Sequence, residues 1–321
     1  MCGLILVFIA LFITGCSQGI RIQYNPPIYA LNTTIDVTFY NVENGEEHYK
    51  NIKKIYQDID KVSSDFSSNY DETSVYDLNN KRSIIASDIL INLVKEALYY
   101  MEKTNGYYNP FIGRISHIWK NVINTGVLPS EAKILEELNI MNNTSIIIDG
   151  NTLTLVGDGN LDLGGIAKGY ASELAYQYLK DNEIKGYLID AGNSSILAGN
   201  KAGKAFRLGL INPNNNKYYA TVRLIDKNIA TSSPHHQKRM IDGKIYHHLI
   251  NPKTGYPSNL YSALSIVGDN NTALDVLSTA MFSMELDDIK YYENKFAVKA
   301  SVLKDNDIYY KNEGCDFYAQ A

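Results

Sequence analysis

The sequence predicts an α+β fold with mixed, mostly antiparallel sheets and packed helices. Strand-like and helix-like segments alternate along the chain, yet several strand-like runs are separated only by short turn signals. That combination favours hairpins over the long crossovers of a doubly wound parallel sheet. Length and composition permit such a core: 321 residues, 45% apolar and 20% charged, the profile of a globular chain and not of a disordered one.

The elements follow in order. Thr33 to Tyr40 alternates apolar and polar residues and reads as a first strand. Ile52, Ile55, Tyr56, Ile59 and Val62 recur at helical spacing within Asn51 to Ser64. Ser87 to Met101 repeats that spacing, with Ser87 as N-cap. Ser145 to Val156 holds two β-rich runs broken by Asp149-Gly150-Asn151, a hairpin signal. Gly169 to Leu179 reads as a helix and Tyr187 to Asp190 as a short strand. Arg207 to Leu210 and Thr221 to Ile225 flank an Asn-Pro-Asn turn and form a second hairpin. Tyr261 to Val267 reads as a strand and Thr272 to Met284 as an apolar helix, with last strands at Phe296–Ala300 and Asp307–Tyr310. No internal repeat or low-complexity segment is apparent.

The net charge of −5 gives no electrostatic basis for a nucleic-acid partner. At the N-terminus, Leu4 to Ile13 is an uncharged apolar run with the length of a signal-peptide h-region, too short for a stable membrane span. It leads into Ile13-Thr14-Gly15-Cys16, which resembles a bacterial lipobox, although Met1-Cys2-Gly3 brings no positive charge. The expected organisation is a signal peptide at 1–15, lipidated Cys16 heading a tether over 16–30, a catalytic domain over 31–312 and a C-terminal tail over 313–321. Such a protein sits on the extracytoplasmic face of the bacterial cell membrane, where two or three acyl chains suffice for stable tethering. With Cys16 lipidated and Cys2 removed, Cys315 is left without a disulfide partner.

Three segments carry chemistry. In Leu161-Asp162-Leu163-Gly164-Gly165-Ile166-Ala167-Lys168-Gly169-Tyr170, a carboxylate precedes two glycines that open a helix bearing a lysine in its first turn. Bare backbone, a helix N-terminus and a cation suit a phosphate, although glycine here also fits a plain steric turn. In Tyr246-His247-His248-Leu249-Ile250-Asn251-Pro252-Lys253-Thr254-Gly255, adjacent histidines on a strand face opposite ways, so one faces the site. An imidazole there is suited to take a proton from a hydroxyl; an exposed hairpin with incidental histidines is the plain alternative. In Asp275-Val276-Leu277-Ser278-Thr279, the carboxylate and hydroxyl lie at i and i+4 on one helix face. That hard-oxygen pair suits Mg²⁺ completed by a substrate phosphate, or simply a capping aspartate. The stretches Thr104 to Pro110, Asp190 to Ser195 and Ala230 to Ser233 read as loops by themselves.

Taken in order, residues 73–79, 104–119, 161–170, 230–233, 246–257 and 274–282 resemble the FAD:protein FMN transferases of the ApbE type, over roughly residues 30–310. The resemblance implies two intimately joined lobes with FAD between them. It matches Tyr70, Tyr107, Tyr108, Asn109, Asp162, Lys168, His248 and Leu249 to flavin-nucleotide contacts, and Asp275, Thr279 and the Gly165 carbonyl to Mg²⁺ ligands. His248 matches the proposed base. FMN would pass from FAD to a threonine or serine hydroxyl of an acceptor flavoprotein, with release of AMP. Gly192-Asn193-Ser194, Asn109 and Asn251 stand where the family commonly carries aspartates. The competing functions are an FAD-capturing surface lipoprotein and a metal-dependent FAD pyrophosphatase.

Overall fold

The computed structural model describes residues 21–23, 26–65, 73–234, 237–314 and 317–319. The chain opens with strands β1 (Arg21–Gln23), β2 (Ile28–Ala30) and β3 (Thr33–Tyr40), then helix α1 (Gly45–Ser63). A helical stretch follows: α2 (Val75–Lys81), the short strand β4 (Ser83–Ile85), α3 (Asp88–Lys103), α4 (Gly113–Thr125) and α5 (Glu131–Asn142). The hairpin β5 (Ser145–Asp149) and β6 (Thr152–Val156) precedes α6 (Ala167–Asp181). Next come hairpins β7 (Tyr187–Ala191) with β8 (Ser195–Ala198) and β9 (Phe206–Ile211) with β10 (Tyr218–Leu224), then β11 (Lys227–Ser232). Two small hairpins, β12 (Lys238–Ile241) with β13 (Lys244–His247) and β14 (Ile250–Asn251) with β15 (Tyr256–Pro257), lead to β16 (Ala263–Gly268). The chain closes with α7 (Asn271–Met281), α8 (Leu286–Phe296), β17 (Lys299–Lys304), β18 (Asp307–Lys311) and β19 (Phe317–Ala319).

The paired strands are antiparallel, as the short turns predict, and nine of them form one sheet in the order β1-β3-β7-β8-β11-β16-β17-β18 with β2 beside β3. All six residues of β16 are buried because the strand is covered on both faces. Helices α6 and α7 pack together over one face. The other face carries a second apolar cluster, in which Ile229, Val267 and Leu303 meet Phe206, Val222 and Phe317 of the β9-β10-β19 sheet. The larger cluster runs through α1, α3, α4, α6 and α7 without interruption, with Tyr56, Leu93, Trp119, Ile166 and Leu277 fully or almost fully buried. Among the described residues no helix is long and apolar enough to cross a membrane.

Several expectations need correction. The segment assigned to a tether joins the sheet: β1 and β2 both pair with β3, and Ile28 and Ala30 are buried on alternate positions of β2. Pro26-Pro27 falls between the two strands, where a residue without an N–H costs no ladder bond. The expected C-terminal tail also belongs to the fold, because β19 pairs with β10 and Phe317 is buried in the second cluster. The strand placed at Phe296–Ala300 starts late. Phe296 ends α8, Ala297 closes that helix in the left-handed region, and β17 begins at Lys299. Ala230 to Ser232 is part of β11 and not a loop. Ser87 does cap α3, its hydroxyl accepting from the Leu90 N–H.

Candidate active site

The α6 and α7 junction is built by an unusual helix start. Ile166, at the N-cap of α6, offers no side-chain hydrogen bond to the free N–H groups of the first turn. Asp275 of α7 fills that role from 106 positions away: its Oδ2 accepts the Gly169 N–H at 2.8 Å. A carboxylate at the positive end of the α6 dipole is well placed electrostatically, and Asp275 is only 5% exposed. The contact requires glycine at 169, since a Cβ there would lie 2.4 Å from the Asp275 Cβ and 2.5 Å from the Asn271 carbonyl oxygen.

The neighbouring groups converge on the same spot. The Thr279 hydroxyl donates to the Asp275 carbonyl oxygen at 3.1 Å, so its lone pairs are not consumed by that bond. Gly165 faces Thr279 and Tyr108: a Cβ at 165 would sit 3.6 Å from the Thr279 methyl and 3.3 Å from the Tyr108 ring. Tyr108 is 4% exposed and its hydroxyl has no hydrogen-bond partner among the described residues. Burial, with Asp162 and then Asp275 nearby, pushes that hydroxyl well above the usual phenol range. Asp162 folds the glycine turn by accepting the Gly164 N–H on Oδ1 at 2.8 Å, while its own N–H donates to the Pro110 carbonyl at 2.7 Å. The structure thus gathers Tyr108, Asp162, Gly165, Asp275 and Thr279 from three separate parts of the chain.

The two histidines divide, although only His247 lies in β13 and His248 falls in the bend that follows it. His247 is buried against the Phe282 ring edge, and its Nδ1 accepts the Leu249 N–H at 3.2 Å. His248 is partly exposed, with Nδ1 3.4 Å from the Gln237 carbonyl oxygen. Dense surroundings push its imidazole down to about 4, helped by Lys168 and Lys120 and opposed by the Gln237 carbonyl and Asp162. Lys120 belongs to a trio that sequence reading missed, with the Asp65 carboxylate 3.0 Å from His117 Nε2 and 3.6 Å from Lys120 Nζ.

The remaining candidates are placed less decisively. Asn109 uses Oδ1 to accept the Phe111 N–H at 2.9 Å, and Tyr107 lies under Lys253 Nζ at 5.5 Å from its ring centroid. Leu249 is buried with its N–H already paired. Tyr70 and Cys16 lie outside the described residues. Trp119 turns out to be the brace for the Lys253 loop: its indole N–H donates to the Gly255 carbonyl at 2.7 Å, and its ring stacks on Tyr246 at 5.5 Å. Behind α7, Ser278 ties the helix to β11 through Ser232 at 2.9 Å. The Gly192-Asn193 turn holds φ of 69° and 57°, and Asn193 donates its N–H to Asp190. Two surface cavities, of about 390 and 780 Å³, lie elsewhere, lined around His117 and Leu128 and around Tyr40 and Tyr187.

This constellation coincides with a family match that spans residues 31–302. The chain belongs to the ApbE family. A Treponema pallidum relative named FAD:protein FMN transferase is 24% identical over 302 residues, covering 87% of this chain and 83% of that protein. A Klebsiella pneumoniae relative of the same name is 23% identical over 72% of this chain and 74% of its own length. The fold is shared with the ApbE protein of Thermotoga maritima, at a TM-score of 0.81 and 24% identity over 92% of this chain and 98% of that one. The flavin transferase ApbE from Vibrio cholerae superposes with a TM-score of 0.72 and 20% identity, covering 94% and 98%. For this ApbE family member, the α+β reading and the resemblance drawn from its motifs both hold.

Proposed function

We infer that this chain is an FAD:protein FMN transferase, moving FMN from FAD to a threonine or serine hydroxyl of an acceptor flavoprotein and releasing AMP. The observation that carries the reading is the meeting of Asp275 and Thr279 with the glycine turn that opens α6. Family membership and the names of the curated relatives support it.

The donors fit magnesium. We assign it one carboxylate (Asp275), one hydroxyl with lone pairs to spare (Thr279) and the turn carbonyl of Gly165, an all-oxygen set. Among the described residues no three His, Cys, Asp or Glu side chains gather into a metal cage. Mg²⁺ is usually held by one or two carboxylates together with substrate phosphates and water. When bound, the ion supplies charge neutralisation at the diphosphate and orients it for in-line attack.

The protein's own groups do the rest. Lys168 and the α6 N-terminus attract the phosphates, and the Tyr108 hydroxyl, without a partner among the described residues, offers a hydrogen bond beside them. Neutral His248 accepts the acceptor hydroxyl's proton as its oxygen bonds to the FMN phosphorus. The phosphorus–oxygen bond to AMP breaks in the same displacement. Positioning and charge stabilisation account for most of the rate gain.

A fluorescent acceptor plus AMP, after incubation with FAD, Mg²⁺ and a candidate acceptor, is the expected outcome. Free FMN plus AMP would favour the pyrophosphatase, and unchanged FAD would favour a capture protein. His248→Ala should slow transfer by about 10²–10⁴-fold with FAD still bound. Because the imidazole lies near 4, the wild-type rate should stay flat above about pH 5 and fall below it as the base is protonated. The alanine variant should lose that acid limb, and an unchanged rate would remove His248 from the mechanism. Placement on the extracytoplasmic membrane face rests on the Cys16 motif alone. Cys16→Ser should shift the protein from the membrane to the soluble fraction, and retention at the membrane would reject lipidation there.

A further inference from the structure

Leu161 sits in the connection between β6 and α6, in no strand of a sheet, with its side chain fully buried. Buried backbone groups need partners, and Leu161 finds both on one side chain. Asn79 at the end of α2 donates from Nδ2 to the Leu161 carbonyl at 2.9 Å and accepts the Leu161 N–H on Oδ1 at 2.7 Å. This two-point contact fixes the peptide planes on both sides of Leu161, one residue before Asp162. Arg82 extends the clamp, donating to the carbonyls of Gly159 at 2.9 Å and Gly157. From the opposite side the Asp162 N–H is held by Pro110.

We propose that Asn79 is a positioning residue for FAD: by pairing with both backbone groups of Leu161 it sets where Asp162 and the Gly164-Gly165 turn stand. The assignment rests on the transferase reading. An amide of this length suits the contact because it offers one donor and one acceptor side by side at every pH. A protonated carboxylic acid offers the same pair, whereas a carboxylate offers two acceptors and turns one of them against the Leu161 carbonyl. Asn79→Asp is therefore a pH-dependent version of the same clamp.

The test measures FAD affinity and the Michaelis constant for FAD between pH 5 and 8 in wild type, Asn79→Asp and Asn79→Leu. At pH 8 the aspartate variant should bind FAD on the order of tenfold more weakly, the scale of a small misplacement at a site. The gap to wild type should close on acidification as the clamp re-forms. The leucine variant should stay weak at every pH. An aspartate variant equal to wild type throughout, or weak without pH dependence, would overturn the assignment. If that variant does not fold at pH 8, Asn79→Ser is neutral and too short to bridge both groups. It should raise the Michaelis constant for FAD, and an unchanged constant would overturn the proposal. A wild-type protein that binds no FAD would sink the transferase reading itself, whereas normal wild-type binding with unaltered variants would sink only the role of Asn79.

Discussion

Replacing Asp275 with asparagine should reduce FMN transfer by about three orders of magnitude or more while leaving the melting temperature almost unchanged. The two effects separate because Asp275 has a structural bond and a charge that asparagine splits apart. The Gly169 N–H needs an acceptor at 2.8 Å, and an asparagine carbonyl supplies one at the same volume. The negative charge is lost, and with it the grip on a divalent cation that the proposed transferase mechanism assigns to Asp275. Removing a single preorganised electrostatic contact in an active site typically costs 10²–10³ in turnover, and loss of a metal adds to that. Asp275→Ala is a poorer probe, since the buried Gly169 N–H would be stranded at about 1–3 kcal/mol. Transfer is read by flavin fluorescence on the acceptor. An asparagine variant that melts early yet transfers at the wild-type rate would reduce Asp275 to a stitch between helices.

Gly169→Ala should be the most damaging small substitution at the junction. Alanine ordinarily favours a helix by up to about 1 kcal/mol over glycine, so exposed helix positions would gain from this change. Here the new methyl would lie 2.4 Å from the Asp275 Cβ, 2.5 Å from the Asn271 oxygen and 3.2 Å from the Thr272 Cα. Two of those three atoms are backbone and cannot swing aside, so α6 and α7 must separate. Overpacking of this kind costs about 1–3 kcal/mol or more, which outweighs the propensity gain. The expected result is a melting temperature lower by several degrees and FAD affinity weaker by at least about tenfold. Both are measurable by thermal unfolding and flavin titration. A variant that melts and binds like wild type would mean that the two helices meet less tightly than described.

Much of this was legible in the sequence, and the reasons differ from element to element. The strand Thr33 to Tyr40 was readable because Ile35, Val37 and Phe39 alternate toward the larger apolar cluster, although its last four residues are buried on both faces. The 149–151 turn and the Ser87 cap are local signals with local causes, and both hold. Helix α4 was not recognised: Ile115, Trp119 and Val122 mark its buried face, but glycine, asparagine and β-branched residues dilute the pattern. Helix α8 has only Ile289 and Tyr292 as large buried apolar residues, too few to establish a period. The strands at both ends escaped notice for different reasons: β1 and β2 are three residues each, too short to show alternation although their partner β3 is nearby, whereas β19 pairs with β10 about a hundred positions away.

The site shows the same division. The glycine turn, the Asp275 and Thr279 pair and His248 were each found as local patterns, and each alone was ambiguous. What no local pattern contained was the Asp275 bond to Gly169, the Asn79 clamp on Leu161 and the Trp119 brace on Gly255. Those contacts join residues 82 to 136 positions apart, and only the folded chain brings them together. Asn79 was already part of the 73–79 motif, so its presence was visible while its purpose was not.

The most direct test is a crystal structure of the protein soaked with FAD and Mg²⁺. The account predicts a cation at about 2.0–2.1 Å from the Asp275 carboxylate, the Thr279 hydroxyl and the Gly165 carbonyl, bridging to the FAD diphosphate. A diphosphate seated elsewhere, with Asp275 still bonded only to Gly169 and no metal beside it, would contradict it.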